Sequence, residues 1–402
     1  MDDEGFRSVT PLETARDRLQ SVCEPHGRTE TIALSAASGR VLAEAVTASR
    51  PVPHYERAAM DGYAVRAADT RGASARSPVE LSVGEKAGPE TAVQVHTGSP
   101  VPEGADAVVM VEQTERRDTG LLVRDALAPG ENVAAVGEDV AAGDRLVAPN
   151  DRLAPSDCAL LRATGVERVR VRDPPRVAVI PTGEELVQPD RDPDPGQVVE
   201  TNGLQVSALV DQWGGTPTHR DIVTDDADRL RAAIERDLDH DIVVTTGGSS
   251  VGERDLLPDV IEDCGELLVH GVAIKPGHPV GFGVVEGTPI LLLPGYPVST
   301  QVTAVQLLRP AIAWLTGTDP PALPTRRGRL GRKVRSTPGE RTFARVVLDD
   351  DDPPTVEPIR TGGAGVLSSI TNADGWVEVP ESREGIPAGE TVAVQCWENP
   401  CE

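Results

Sequence analysis

Strand-length apolar runs alternate with helix-length segments between residues 176 and 318, and this alternation constrains the fold more than any other feature. The predicted strands are Val177–Ile180, Ile242–Thr246 and Ile290–Leu293. The predicted helices are Asn202–Trp213, Asp226–Asp237, Leu256–Asp263 and Val298–Leu315. Such alternation indicates βαβ units, which build a mostly parallel sheet with helices on both faces. We therefore predict a three-layer α/β/α domain over residues 176–318.

The rest of the chain is predicted to form three smaller parts. Residues 48–137 hold short apolar runs between Gly and Pro turns, which predicts a small β-rich domain. Residues 1–47 and 138–175 have a mixed pattern and are assigned to an N-terminal or linker domain. Residues 319–402 open with a Pro- and Arg-rich segment, and we predict a C-terminal β-barrel-like domain there. Its predicted strands are Phe343–Leu348, Trp376–Val379 and Thr391–Gln395.

Capping patterns predict where several helices begin. Thr10 fits an N-cap, with Pro11 in the first turn and Glu13 closing a capping box. Thr201 is the predicted cap of the helix that follows it, and the next helix is entered through Asp225 and Asp226. One further helix is predicted over Ser156–Thr164.

The charge balance excludes some functions and favours one environment. The 402 residues include 39 basic and 64 acidic side chains, which gives a net charge of −25. Lysine occurs only at positions 86, 275 and 333. An acidic, lysine-poor chain argues against nucleic-acid binding and suits a protein that stays soluble in high salt. We expect a halophilic archaeon as the source, and an acidic partner-binding surface is the alternative.

Cysteine usage and hydropathy indicate a soluble cytoplasmic protein. The five cysteines are scattered without a CxxC pair, which argues against zinc, and their odd number fits a reducing compartment. The acidic N-terminus is unlike a signal peptide. No apolar run approaches the ~20 residues of a membrane span.

A small-residue loop follows the predicted strand Ile242–Thr246. It reads Gly247-Gly248-Ser249-Ser250-Val251-Gly252 and ends on Glu253, Arg254 and Asp255. Glycines allow close approach to a ligand, successive N–H groups can cradle an anion, and an acid can hold a divalent cation against phosphate. The loop is neither GxGxxG nor a P-loop, and a plain strand-to-helix turn is the alternative. The layout predicts a phosphorylated substrate.

A second acid-bearing loop, Pro181-Thr182-Gly183-Glu184-Glu185, follows the first strand. In parallel sheets ligands bind beyond the carboxyl ends of the strands, so both loops are candidates for one site. Mg²⁺ needs only one or two carboxylates beside phosphate and water. The candidate Mg²⁺ ligands are Glu185, Asp225, Asp226 and Asp255, although Asp225 and Asp226 have an alternative role as helix N-caps.

Lys275 lies in a Pro-Gly turn, and lysine is rare enough here to make it a candidate for pairing with an oxyanion. An exposed turn lysine is the alternative. Asp61-Gly62 and the segment 97–104 read as turns, without a functional signal of their own. The chain has no G-x-S-x-G elbow, which argues against acyl transfer.

Eight ordered motifs carry a resemblance to a known family. They are AAMDGYAV (58–65), HTGSPVPEGADAVVMVEQTE (96–115), VGEDV (136–140), PTGEEL (181–186), TNG (201–203), TTGGSSVGERD (245–255), AIKPGHP (273–279) and LPGYPVS (293–299). The chain resembles the molybdopterin molybdenumtransferase family, the MoeA and gephyrin E-domain group. The resemblance implies an elongated four-part subunit that forms a homodimer with an active cleft between the two chains.

The resemblance also implies a reaction and roles for residues. Molybdate reacts with adenylylated molybdopterin in the presence of Mg²⁺, AMP leaves, and the metal is bound by the dithiolene sulfurs. The implied catalytic residues are Asp61, Asp139, Glu185, Asp255 and Lys275. The implied substrate-binding residues are Thr97, Gly98, Thr182, Gly183, Gly247, Gly248, Ser249, Gly252, His278, Pro294, Gly295 and Arg341. Contact with a molybdopterin adenylyltransferase is a further expectation.

Three positions depart from the family pattern. His278 stands where the family has a second lysine, Tyr296 replaces the asparagine of PGNPVS, and Ala364 replaces a serine. An unperturbed histidine is mostly uncharged at neutral pH, so the oxyanion side is expected to differ. Tungstate as the metal, molybdopterin adenylylation, and a scaffold of the gephyrin E-domain type are the alternatives.

Overall fold

The computed structural model describes residues 9–249, 256–359 and 363–398. The chain divides into two compact units, one spanning Thr29–Val171 and the other made of the residues up to Arg28 and from Arg172 onward. Within the described ranges, no helix is long and apolar enough to cross a membrane.

The unit Thr29–Val171 is built around a six-stranded sheet within residues 62–123. Its strands, in spatial order, are Ala107–Met110, Gly62–Val65, Thr91–Val95, Val79–Val83, Leu121–Val123 and Thr114–Arg116. Two short pairs join Arg57–Ala58 to Val133–Ala134 and Val46–Thr47 to Arg145–Val147, and Thr29–Ala33 pairs with Arg168–Arg172. The α-helix Pro155–Ala163 agrees with the predicted one to within a residue at each end. Leu81, Val109 and Leu121 are central residues of the core of the sheet.

The second unit contains a six-stranded sheet that is parallel over four strands. In spatial order the strands are Thr216–His219, Arg176–Pro181, Ile242–Thr246, Thr288–Leu293, Gly281–Val285 and Glu266–His270, and the last two run antiparallel to their neighbours. This confirms the mostly parallel sheet. The predicted strands were right in position because each is a fully buried apolar run.

Helices cover both faces of this sheet. Val179, Val244 and Leu291 face one core, together with the helix Asn202–Gln212 and the helical segment 297–315. The alternate residues face a second core, formed with Ala227–Arg236 and Leu257–Cys264. The segment 297–315 is helical throughout, as Pro297–Thr303, a π-helical stretch Ala304–Leu308, and Arg309–Leu315.

Two capping predictions were wrong in detail. Thr10 does not cap the first helix, Leu12–Gln20, because its backbone bridges the strand-like segment 271–273 and Pro11 takes the N-cap position. Thr201 occupies its predicted N-cap position but makes no side-chain cap; instead, the Glu200 carboxylate accepts from the Gly203 N–H at 2.6 Å. A long-range backbone pairing thus holds Thr10, and a neighbouring carboxylate caps the helix that follows Thr201.

The C-terminal part of this unit is a closed five-stranded barrel. Its strands are Thr325–Leu330, Arg341–Leu348, Thr355–Pro358, Gly375–Val379 and Thr391–Gln395, and the ring closes where the second pairs with the fourth. Two short strands, Val334–Arg335 and Gly385–Ile386, pair with each other, and a short helix spans Ser368–Thr371. The strand Ile274–Lys275 pairs with Arg341 and Thr342, so Lys275 is attached directly to the barrel.

The predicted limits of the four parts stay predictions. Leu12–Gln20 packs against the α/β core rather than with residues 138–175, because Leu12, Ala15 and Leu19 are fully buried there. Cys23, Cys158 and Cys264 are free thiols, and Cys396 is in a disulfide.

Candidate active site

An acid-bearing cavity of about 450 Å³ lies at the carboxyl end of the parallel strands. Its lining consists of Thr182, Gly183, Glu184, Glu185, Pro195, Gly196, Gln197, Asp225 and Gly248. Gly183 has a φ of +148°, and a Cβ there would lie only 2.7 Å from a Glu185 carboxylate oxygen. The absence of a side chain at Gly183 therefore lets the Glu185 carboxylate fold over the end of the strand.

Asp225 and Asp226 have different positions although they are adjacent. Asp225 lines the acidic cavity, and its carboxylate accepts from the Glu184 N–H at 3.2 Å. Asp226 caps the helix Ala227–Arg236, where its carboxylate accepts from the Arg229 N–H at 2.9 Å. The N-cap alternative is therefore confirmed for Asp226.

The start of the glycine loop lies beside the acidic cavity. Gly247 and Gly248 have φ values of +129° and +61°. A Cβ at Gly247 would lie 2.3 Å from the Thr182 carbonyl oxygen, which explains why this position requires glycine. Ser249 is buried. Gly252 and Asp255, which the sequence assigned to this site, lie outside the described residues.

Three threonine hydroxyls are buried at this end of the sheet. The side-chain oxygens of Thr182, Thr245 and Thr246 have no hydrogen-bond partner among the described residues, although all three side chains are almost fully buried. A buried polar atom without a partner costs about 1–3 kcal/mol. Such a cost is typical of a position where a ligand completes the hydrogen bonding.

The turn Pro294–Gly295 is held against the glycine loop. A Cβ on Gly295 would lie 3.6 Å from the Gly247 Cα. The Asn202 amide donates to the Gly295 carbonyl at 2.7 Å, and the Thr300 hydroxyl donates to the Pro294 carbonyl at 2.6 Å. These contacts bring both predicted positions, Pro294 and Gly295, to the same end of the sheet as Gly247.

A second cavity in this unit, about 880 Å³ in volume, is rich in basic side chains. It lies between the turn 275–279 and the barrel, and its cationic or titratable basic residues are Lys275, His278, Lys333, Arg335 and Arg345. Ser299 and Ala364 also line it. Two of the chain's three lysines therefore meet in one cavity of a protein with a net charge of −25.

Lys275 and Arg345 differ in surroundings. The Lys275 ammonium lies 3.7 Å from the Glu340 carboxylate and is more than half exposed. Burial lowers the pKa of the Arg345 guanidinium, which remains charged at neutral pH. The sequence had selected Lys275 and His278 but missed Lys333, Arg335 and Arg345. The rarity of lysine was the signal that could have found Lys333.

Arg341 is placed elsewhere. Its guanidinium donates to Glu381 at 2.8 Å and to Glu13 at 2.6 Å, and Glu378 lies 3.4 Å away. Burial opposes the charge, but these hydrogen bonds raise the pKa of Arg341 overall. The described lining of the basic cavity includes Arg345 but not Arg341.

The unit Thr29–Val171 brings three other predicted residues to one place. A cavity of about 570 Å³ is lined by Thr97, Gly98 and Asp139, among others. The Asp61 carboxylate accepts from the Thr97 N–H at 2.6 Å and from its hydroxyl at 2.9 Å. These hydrogen bonds lower the pKa of Asp61, so it is ionised at neutral pH. Its carboxylate holds the Thr97 backbone at the cavity edge.

The described residues contain no group of three or more His, Cys, Asp or Glu side chains arranged to hold a metal ion. The acidic cavity has Glu184, Glu185 and Asp225 in its lining. Carboxylate oxygens are the donors that Mg²⁺ prefers, and one or two suffice when a phosphate supplies the rest.

The chain matches three family descriptions in succession. Residues 10–165 match the MoeA N-terminal region (domains I and II), residues 178–314 a probable molybdopterin binding domain, and residues 327–397 the MoeA C-terminal region (domain IV). Together these matches cover almost the whole chain.

Curated relatives match over nearly their full length. A putative molybdopterin biosynthesis protein of Methanocaldococcus jannaschii is 34% identical, covering 97% of this chain and 98% of its own. Molybdopterin molybdenumtransferase 2 of Mycobacterium tuberculosis is 34% identical, covering 98% and 100%. Molybdopterin molybdenumtransferase of Haemophilus influenzae is 30% identical, covering 96% and 98%.

Solved structures give the same result. Two crystal structures of molybdopterin biosynthesis MoeA proteins from Pyrococcus horikoshii superpose with TM-scores of 0.82 and 0.80, at 37% and 30% identity. They cover 98% and 97% of this chain and all of their own. The chain therefore belongs to the molybdopterin molybdenumtransferase family and is an enzyme of molybdenum cofactor biosynthesis.

Proposed function

We propose that the enzyme inserts molybdate, or tungstate, into adenylylated molybdopterin with the release of AMP. One observation carries this proposal: a cavity with two of only three lysines lies in the same unit as a glycine- and acid-lined cavity at the strand ends. The first cavity suits a small oxyanion and the second a magnesium-bound phosphate.

The acidic cavity is the proposed phosphate and Mg²⁺ side. Gly247 and Gly248 supply backbone without side chains, which an adenylyl phosphate could approach closely. The buried hydroxyls of Thr182 and Thr246 are available as donors to the substrate. Glu185 and Asp225 would hold Mg²⁺, which supplies charge neutralisation at the phosphate as AMP leaves.

The basic cavity is the proposed oxyanion side. Molybdate and tungstate are dianions, and positively charged side chains attract them. Lys275 and Arg345 contribute fixed positive charge, and Ser299 contributes a hydroxyl donor. Positioning and charge neutralisation by these groups would carry most of the catalysis.

We propose that the active form is a homodimer in which the cavity with Thr97 and Asp139 completes the partner's cleft. Asp61 supports this role because its carboxylate fixes Thr97 at the cavity edge. Contact with a molybdopterin adenylyltransferase, cytoplasmic location and adaptation to high salt are further proposals. The net charge of −25 supports the last of these.

The test is an assay of AMP release. Purified protein is incubated with adenylylated molybdopterin, Mg²⁺ and molybdate, and AMP is quantified with and without molybdate. Molybdate-dependent AMP release is the expected result. ATP consumption with free molybdopterin would instead identify an adenylyltransferase, and neither activity would indicate a scaffold.

A further inference from the structure

We propose that Lys333, in the connection that follows the barrel strand Thr325–Leu330, is an oxyanion-binding residue of the basic cavity and supplies its second ammonium group. This inference rests on the proposed function, since the oxyanion is taken to be molybdate or tungstate. It adds a residue from a different domain to the side chains of the turn 275–279.

Composition makes the position of Lys333 informative. An exposed lysine needs no explanation in an ordinary protein. Here acids outnumber basic residues 64 to 39 and only three lysines occur, yet Lys275 and Lys333 line the same cavity. Because arginine serves at nearly every other basic position, a compact ammonium group at these two positions indicates a specific use.

Lys333 and Lys275 differ in their ion pairing within the described residues. Lys333 forms no ion pair with any residue that the structure describes, whereas Lys275 lies 3.7 Å from Glu340. A dianion in the cavity would therefore meet one ammonium partly neutralised by a carboxylate and one that is not.

The barrel holds the backbone of Lys333 firmly. On one side, Arg332 donates from Nε to the Glu357 carboxylate at 2.7 Å and from its terminal nitrogen to the Pro358 carbonyl at 2.6 Å. On the other side, Val334 is buried and pairs with Ile386. The backbone of Lys333 is therefore held in place on both sides, by Arg332, which is paired with Glu357, and by the buried Val334. Its side chain remains flexible.

The two lysines of the basic cavity are carried by different parts of the chain. Lys275 lies on a strand that pairs with Arg341 and Thr342 of the barrel, and Lys333 follows directly after the barrel strand Thr325–Leu330. Two charged nitrogens carried by separate elements can both donate to one bound oxyanion.

The experiment compares Lys333→Ala with Lys86→Ala, the matched control, because Lys86 is the remaining lysine and lies in the unit Thr29–Val171. Molybdate binding is measured by calorimetry with sodium molybdate as the probe. The KM for molybdate, the KM for adenylylated molybdopterin and kcat are measured from AMP release. Thermal unfolding and the conservative variant Lys333→Arg complete the set.

We expect Lys333→Ala to weaken molybdate binding roughly tenfold or more, the usual size for one charged hydrogen bond. The KM for adenylylated molybdopterin and the melting temperature should stay close to those of the parent, and Lys333→Arg should restore most of the affinity. Molybdate affinity of Lys333→Ala equal to that of Lys86→Ala would overturn the inference. Absence of molybdate binding and AMP release in the parent protein would instead overturn the proposed function.

Discussion

The acidic and the basic cavity of the larger unit differ in how strongly their residue types indicate a function. Carboxylates at the strand ends are barely distinguishable from the chain's other acids, which number 64 in all. The cations of the second cavity run against the composition, because a chain of net charge −25 has little reason to collect them in one place. In an acidic chain, clustered cations therefore indicate a functional site more strongly than clustered acids do.

The same comparison separates structural from functional acids. Asp226, Asp237 and Asp241 are engaged by helix ends or arginines within the protein. Glu185 is folded over Gly183 at the cavity wall and has no arginine partner among the described contacts. Mutations at paired and unpaired acids should therefore affect different properties.

Lys275→Ala should have the largest effect. Removing a fixed charge from the oxyanion side is expected to lower kcat/KM for molybdate by roughly 10²–10³, the range for one lost electrostatic donor. The measurement is AMP release at varied molybdate concentration. An unchanged dependence on molybdate would place the oxyanion outside this cavity.

Glu340→Gln provides the opposite change in the same cavity. Glu340 lies 3.7 Å from the Lys275 ammonium and competes with a bound anion for it. Removing its charge should tighten molybdate binding by a few-fold, because a partly exposed pair contributes about 0.2–1 kcal/mol. Calorimetry with molybdate checks this, and weaker binding would show that Glu340 positions Lys275 rather than competing for it.

Asp241→Asn tests an acid with a structural role. Asp241 accepts from the Arg28 guanidinium at 2.7 Å and from the Arg176 N–H at 2.7 Å, and only 8% of its side chain is exposed. At neutral pH the substitution should lower the free energy of unfolding by about 3 kcal/mol, as for a broken buried pair. Molybdate-dependent AMP release by the folded protein should not change.

The effect of Asp241 should depend on pH in a definite direction. Burial opposes its charge, but the hydrogen bonds from Arg28 and Arg176 lower its pKa overall. Its stabilisation is therefore present above the unfolded value of about 4 and is lost as the pH falls through the folded pKa. Denaturant unfolding at pH 7 and in acid should show the parent and variant converging. Asp239→Asn, an exposed neighbour, is the control.

Glu185→Gln should weaken the affinity of the enzyme for Mg²⁺. Loss of a carboxylate ligand is expected to raise the Mg²⁺ concentration needed for half-maximal AMP release by roughly 10–100-fold. Excess Mg²⁺ should restore part of the rate. The matched control is Asp211→Asn, an exposed acid on the helix Asn202–Gln212. Equal Mg²⁺ requirements in both variants would remove Glu185 from the metal site.

Local sequence predicted the elements whose causes are local. The buried strands were identified from runs such as Ile242–Thr246, and the cap at Asp226 from the helix that follows it. The position of Thr10 was missed because its partners lie at 271–273 in the chain. The closing of the barrel also depends on strands far apart in sequence, and the cavity lining joins Lys333 and Arg345 to the distant turn 275–279.

Local sequence also fails to distinguish two arginines of one barrel strand. Arg341 and Arg345 lie on one strand, four residues apart, so the alternation of side chains places them on the same face. Sequence resemblance selected Arg341 for the oxyanion site. Glu13, 328 positions away, engages Arg341 in the structure, and Arg345 lines the cavity instead. No local pattern distinguishes the two.

Asp226→Ala should have the smallest effect and separates the two adjacent aspartates. Because the Asp226 carboxylate caps a helix through the Arg229 N–H, its loss should cost about 1 kcal/mol of stability with little change in AMP release. Asp225→Asn should raise the Mg²⁺ requirement of AMP release with little change in stability, since Asp225 lines the acidic cavity. Unfolding free energies and Mg²⁺ titrations of both variants give a crossed comparison. A Mg²⁺ requirement that rises in Asp226→Ala but not in Asp225→Asn would contradict this assignment. It would mean that Asp226, and not Asp225, binds the metal.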